Sequence, residues 1–381
     1  MANPDFTNVN APYGIAELGS TYMTELARET WQLQTMDPTA PILTEKTIPV
    51  KEVRVEWTVE ELRLIGVVPT GKINKMNTHG KAKSYSYQLA NFRRGDFIDQ
   101  DLINHLRAPG GDAMQEYGME LVSERVSTLV AQLHHMMCFL RAGILTGGIN
   151  YTDVETNYTI QEASNIPTSN YYTIGTTTSV ATSAHWSDLV NADVVSDFQT
   201  LVYQMKIAAL NKPTKAVMSS AMRELISRGT KIRQFLPGNL SGLYNTGLVQ
   251  WGEDGYVSRI CGVEIVEHFM LYDDYIAGTM TRQYIWPVNK VTFLAESNPA
   301  LPGQRVGYTV IGKGENPANV PGWYLRTYGS EQMIDPSMPP GLAMQLGGNA
   351  LPILYKPWWV HVVTPCTYAE IKAALPDAYI P

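Results

Sequence analysis

The chain has 381 residues, with 29 Lys and Arg against 36 Asp and Glu, and a net charge of −7. That length can bury a large core and suits two or three domains or one elaborate one, while the acidic balance argues against a surface that coats nucleic acid, because phosphate binding needs net positive charge. With 44% hydrophobic and 17% charged residues, global disorder is excluded, and so sparse a charge hints at surface covered by partners.

Residues 1–48 read as an arm. They hold Pro4, Pro12, Pro38 and Pro41 and one helical stretch, about Gly14 to Gln34. Their charge is acidic, with Asp5, Glu17, Glu25, Glu29, Asp37 and Glu45 against Arg28 and Lys46. Tyr13, Ile15, Leu18, Tyr22, Leu26, Trp31 and Leu33 need a surface to lie on, and the segment is poorly suited to supplying its own. The start of the chain lacks the basic, then apolar, pattern of a signal peptide. No apolar run approaches the roughly 20 residues that cross a bilayer.

Residues 47–93 read as a long hairpin. Ile48, Val50, Val53, Val55 and Trp57 alternate with polar residues, as do Tyr85, Tyr87 and Leu89, which suits half-buried strands. The tip, residues 71–83, carries Lys72, Lys75, Lys81 and Lys83 with no acid. Such a tip either stays solvated or docks on something acidic. Ile65, Val67, Val68, Tyr85 and Tyr87 are expected to supply most of the energy of such a contact, since large buried side chains outweigh exposed ion pairs.

Residues 112–143 predict the longest helix. Met119, Val122, Val126, Leu129, Val130, Leu133, Met137 and Leu140 recur at spacings of three and four. Asp112 is placed to cap it and Gly143 to stop it. Thr, Tyr, Asn and Ser then dominate 144–181, which reads as loops and edge strands. A helix near 193–210, a short buried strand at KAVMSS, and a second helix capped by Ser219 or Ser220 and ending at Gly229 make an α/β layer. Beyond Pro237 the pattern is β. Nine Gly and seven Pro between 297 and 350 predict loops there rather than long elements. ILYKPWWVHVVTPC reads as a final strand and YAEIKAAL as a short helix.

Motifs for chemistry are absent or fail their context. Cys138, Cys261 and Cys366 are odd in number and far apart, so they form neither a disulfide framework nor a zinc ribbon. His79, His105, His134, His135, His185, His268 and His361 include no pair at metal-binding helical spacing, and the adjacent His134 and His135 point about 100° apart on a helix. Gly307 to Lys313 fits G-x-x-x-x-G-K, but Gly314 replaces the magnesium-binding Ser or Thr and Pro317 prevents the following helix. No catalytic residue, metal site or cofactor site is assigned. The competing reading is an α/β enzyme or binding protein whose site is built from scattered residues.

The order of parts resembles the major capsid proteins of tailed bacteriophages with the Hong Kong 97 fold, and is most similar to the lambda-type family of phage capsid protein E. NFRRGDFIDQDLINHLRAPGG, RAGILTGGINYTD, HWSDLVNADVVSDFQTLVYQMKIAALNKPTKAVMSSAMRELI and the late segments GVEIVEHFMLYDD, WPVNKVTFLAES and GQRVGYTVIG carry the likeness. The resemblance implies an α+β fold with an N-terminal arm (1–48), an extended E-loop hairpin (49–100), a peripheral (P) domain at 101–180 with its spine helix at 112–143, an axial (A) domain at 181–355 whose late strands either stay with it or return to the P domain, and a C-terminal strand and helix at 356–381. It implies a structural, non-enzymatic protein that assembles with itself into hexamers and pentamers. These would form an icosahedral head enclosing double-stranded DNA without tight binding. Separate scaffold, portal and decoration proteins would be partners, the scaffold being a separate product or a segment removed before this chain begins. Assembly in the host cytoplasm and residence in the virion follow, with no membrane involved. Lys72, Lys75, Lys81 and Lys83 on one copy and Glu25 and Glu29 on another are the candidate intersubunit contacts.

Overall fold

The computed structural model describes residues 20–33, 37–57, 83–99, 112–153, 158–175, 184–208, 211–236, 248–276, 279–295, 305–313, 322–329 and 341–376. Helix α1 (Ser20–Leu33) leads to the short strand β1 (Glu45–Thr47), the paired β2 (Glu52–Trp57) and β3 (Lys83–Gln88), and β4 (Ala90–Asp99). The long helix α2 (Asp112–Thr146) follows, then β5 (Gly148–Thr152), β6 (Thr159–Ala163) and β7 (Tyr171–Thr173). Next come α3 (Val194–Ala208), β8 (Lys215–Ser219), α4 (Ser220–Arg228) and the single turn α5 (Thr230–Arg233). The β-rich remainder comprises β9 (Val249–Trp251), β10 (Val257–Ile260), β11 (Val263–His268), β12 (Leu271–Ile276), β13 (Thr279–Tyr284), β14 (Val291–Leu294), β15 (Gly307–Gly312), β16 (Tyr324–Gly329), β17 (Gly341–Leu354) and β18 (Val360–Thr364), and α6 (Tyr368–Ala374) ends the described chain.

The 35 residues of α2 make a rod of about 52 Å at 1.5 Å per residue. Its buried stripe is the one the spacing predicts: Val122, Val126, Leu129, Val130, Leu133, Met137 and Leu140 all lie inside. Each such side chain contributes on the order of 1.5–3 kcal/mol on burial, so the helix is held by its packed face. Gly143 does not end it. The helix passes through Gly143 to Thr146, because the missing Cβ is needed for close approach by β5: a side chain there would sit 3.2 Å from Gly148 O and from Ile149 Cγ1. The chain leaves the helix at Gly147, whose φ of 136° lies in the region that favours glycine.

Two sheets flank the spine. The first has the order β1-β15-β17-β16, with β4 on the other side of β17. Its centre, β17, is 14 residues long and overturns the expectation of loops between 297 and 350. The glycines that suggested loops instead make room for aromatic rings. A Cβ on Gly348 would lie 2.4 Å from the Trp323 ring, and one on Gly347 would lie 2.9 Å from the Tyr324 hydroxyl. The final strand also ends differently. Pro357 opens a 3-10 turn at Pro357–Trp359, so the ILYKPWWVHVV run divides between β17 and β18. The Gly307–Gly312 stretch is β15, fully paired with β17, which removes the phosphate-loop reading.

The second sheet has the order β7-β18-β14-β8-β11-β10-β9. β8 and β11 run parallel across a crossover that contains α4. Successive residues face opposite ways. Ala216 and Met218 join the core beneath α3 and α4 with Phe198, Leu201, Met222 and Leu225, while Val217 joins the core around the spine. Ser219 caps α4 as expected, accepting from Met222 N at 3.3 Å. α6 has a full capping box between Thr367 and Glu370, and Glu370 is also tied to His185 at 2.8 Å. Replacing Thr367 with alanine is expected to cost about 1 kcal/mol. A urea titration of the unassembled chain checks this, and an unchanged midpoint would show that His185 alone holds the terminus.

Candidate functional site

For a chain without catalytic motifs the informative surfaces are those where its projecting segments meet the body. The arm helix α1 is amphipathic. Its inner residues Met23 and Ala27 are buried against β16, the sheet edge, and against α2. An edge strand leaves backbone groups unpaired, and here Thr24 serves them. Its Oγ1 donates to Leu325 O at 3.1 Å and accepts from Leu325 N at 3.1 Å. Arg28 Nε donates to Trp323 O at 3.2 Å. The Trp31 ring lies 5.1 Å from Trp323 and 5.4 Å from His134. The arm helix therefore lies on a surface of its own chain, one the arm does not itself supply: β16 and Trp323 are formed by residues some 300 positions later, invisible in the local pattern.

Behind the arm lies a buried charge centre. Arg141, on the buried face of the spine, donates from Nη1 to Asp37 Oδ2 at 2.6 Å, from Nη2 to Glu45 Oε1 at 3.1 Å and from Nε to Thr309 Oγ1 at 2.8 Å. Thr309 in turn donates to Leu43 O at 2.9 Å. Asp37 Oδ1 accepts from Thr39 N at 2.7 Å and from Thr39 Oγ1 at 2.6 Å. Trp31 Nε1 reaches the Glu45 carboxylate at 3.1 and 3.2 Å. Burial alone would raise the pKa of Asp37, but the Arg141 guanidinium and the Thr39 bonds outweigh it and hold the carboxyl below its usual value. One guanidinium thus joins the arm, β1, the spine and β15. Sequence reasoning missed this centre. Its signal was an arginine at a buried position of an apolar helical stripe.

Of the candidate contact residues, Glu25 and Glu29 are exposed, one turn apart on the outer side of α1, with the exposed Tyr22 (42%) nearby. Lys83 opens β3 opposite Trp57, while Lys72, Lys75 and Lys81 lie outside the described residues. Tyr85 stays exposed (38%). Tyr87, expected on a neighbour, is instead buried in its own chain, where its hydroxyl accepts from Asn165 Nδ2 at 2.6 Å.

Among the described residues no cluster of His, Cys, Asp and Glu is arranged to hold a metal, and no helix is long and apolar enough to cross a membrane. Cys138 and Cys366 are buried free thiols, and burial raises the pKa of both, that of Cys366 to about 12.

The fold has known counterparts. A phage-related protein from Bordetella bronchiseptica RB50 superposes with a TM-score of 0.54 at 13% identity, covering 93% of this chain and 98% of that one. A protein described as the capsid protein of an Escherichia coli CFT073 prophage gives a TM-score of 0.57 at 10% identity, covering 90% and 99%. A search of curated proteins found no significant match. The sequence itself matches the family Phage major capsid protein E over residues 27–360. That match takes in the arm helix beyond its first turns, the spine, the first sheet and the second sheet as far as the start of β18. The chain belongs to the phage major capsid protein E family: it is a structural, non-enzymatic capsid protein with the α+β Hong Kong 97 fold, and its place is the virion.

Proposed function

We propose that copies of this chain tile as hexamers and pentamers into an icosahedral head around double-stranded DNA, with the E-loop of each copy docked on the arm of a neighbour. The observation that carries this reading is the division of α1 into two faces. Its inner face is locked onto its own β16 and spine, so the arm is a fixed platform. Its outer face presents Glu25 and Glu29, opposite in charge to the Lys72, Lys75, Lys81 and Lys83 of residues 71–83. Exposed ion pairs typically contribute under about 1 kcal/mol each, but a shell repeats every contact, so weak pairs set its register. The hairpin at 49–100 acts as the E-loop, the spine region at 101–180 as the P domain and residues 181–355 as the A domain, with 356–381 closing the chain. Net charge of −7 suits DNA that is confined rather than bound. Scaffold, portal and decoration proteins are separate partners, and assembly takes place in the host cytoplasm.

The test separates register from clamping. Changing all four lysines to Gln should leave the unassembled fold intact while slowing assembly and making it less sensitive to salt. Deleting 71–83 should abolish stable shells in negative-stain micrographs. Shells of normal yield from the deletion variant would sink the docking role of the loop, and a parent chain that remains monomeric at high concentration would sink the shell reading itself.

A further inference from the structure

The second sheet ends at β9, and the neighbouring strand β10 carries opposite features at its two ends. Before it stands the turn 252–256. Glu253, Asp254, Gly255 and Tyr256 are all exposed, yet the turn is stiff. Gly252 N donates to Tyr256 O at 2.7 Å, Tyr256 N donates to Asp254 Oδ1 at 3.1 Å, and Arg223 holds Asp254 at 2.8 Å. Glu253 forms no ion pair among the described residues. The turn is thus a rigid projection with an uncompensated carboxylate and an aromatic ring.

After β10 comes the tight turn at Cys261 and Gly262, with φ values of 52° and 79°. Between this turn and α3 lies an open cavity of about 480 Å³. Val202 and Leu248 line it, Tyr203 (64% exposed) stands at its side, and Lys206 lies at its rim. Lys212 adds a second ammonium over Gly262. Among the described residues no acidic side chain lines the cavity, and Ile207, four residues after Tyr203 on α3, is exposed (61%).

We infer that the acidic turn 252–256 of one copy seats in this basic groove of the next copy. Charge complementarity selects the occupant: among the described residues the groove offers two lysines and no acid, and the turn offers Glu253 beside a paired Asp254. Tyr256, Tyr203 and Ile207 supply apolar area to bury. The two features are separated by the length of β10, about 13 Å at 3.3 Å per residue, so one copy does not fill its own groove. A contact between different patches at opposite ends of one element is heterologous, the kind that repeats around a ring. This contact rests on the shell reading above and adds to it a lateral joint between A domains, distinct from the E-loop.

The groove carries a native probe, since Cys261 is partly exposed while Cys138 and Cys366 are buried. In particles made from Glu253→Cys, a short bis-maleimide should link residue 253 of one copy to Cys261 of the next and give a ladder of chains on denaturing gels. Adding Cys261→Ser should erase the ladder. Reversing the turn (Glu253→Lys) or the groove (Lys206→Glu with Lys212→Glu) should cut particle yield by at least about tenfold, since like charges then face each other. Combining the two reversals should restore most of the yield. Circular dichroism of the unassembled variants separates assembly from folding. Normal particles from both reversal variants, or particles of Glu253→Cys without a ladder, overturn the contact. If the parent chain forms no particles, the shell reading fails first and this joint falls with it.

Discussion

Replacing Arg141 with alanine will destabilise the unassembled chain by about 3–5 kcal/mol, because it leaves Asp37 ionised and buried without its partner. Arg141 and Asp37 are each 1% exposed at the side chain, so water cannot take over the lost bonds. The loss has three parts: the pair with Asp37, the bond to Thr309, and the link to Glu45 that also positions Trp31. The arm should loosen with it, since Glu45 links Arg141 to Trp31 on α1. The partner change Arg141→Met with Asp37→Leu removes both charges and keeps apolar bulk. It should recover a large part of the stability, since a buried pair replaced as a unit often costs little. Denaturant titrations of the two single variants and the double form a cycle. Additive losses would show that the ion pair is not the unit, and a loss under 1 kcal/mol for Arg141→Ala would show that the centre is already solvated. Tryptic cleavage after Arg28 in α1 reads the arm separately from the global fold.

The sequence made the local devices legible and hid the long-range ones. The apolar stripe of α2, the Ser219 cap and the alternation of β2 at Val53 and Val55 are encoded in residues within a turn or two of one another, and each appears in the structure, whereas in β3 Tyr87 is buried but Tyr85 is not. The hub at Arg141 is assembled from Asp37, Glu45, Arg141 and Thr309, which no spacing rule connects. β17 was hidden for a related reason. Its glycines read as turn formers, but they serve Tyr324 on the adjoining strand β16 and Trp323 just before it, and only the pairing reveals it. The arm was misjudged because the surface that receives Thr24 and Arg28 is made of residues 323 and 325. The acidic outer face of α1 was legible, since Glu25 and Glu29 are one turn apart in any helix.

Acid will destabilise the fold between about pH 6.5 and pH 4, ahead of general carboxylate protonation. His268 is fully buried, and among the described residues neither ring nitrogen has a hydrogen-bond partner. Its ring lies 5.7 Å from Trp286. His361 is also fully buried, stacked on Tyr172 with Nδ1 3.0 Å from the Tyr172 hydroxyl, and its Nε2 has no partner among the described residues. Burial pushes both imidazoles down to about 4 from an ordinary value of 6.5, and the Asp37 charge only partly offsets this at His268. In the unfolded chain both rings take up protons near pH 6.5, while in the folded chain they stay neutral until about pH 4. The unfolded state therefore binds more protons across that window, so stability is fully present above pH 6.5 and falls as pH drops toward 4. At 1.36 kcal/mol per pKa unit the loss is about 3 kcal/mol for each ring. Asp37 acts in the same direction at lower pH, because its carboxyl is held below the unfolded value and its contribution disappears when it protonates. Unfolding free energies of the unassembled chain, measured across pH 7 to 4, should show a slope near two protons. His268→Phe and His361→Phe should each remove about one, whatever they do to absolute stability at pH 7. A flat profile in the parent would mean that both rings are already charged or already solvated in the fold. An unchanged slope in the variants would show that neither ring is the source of the acid sensitivity.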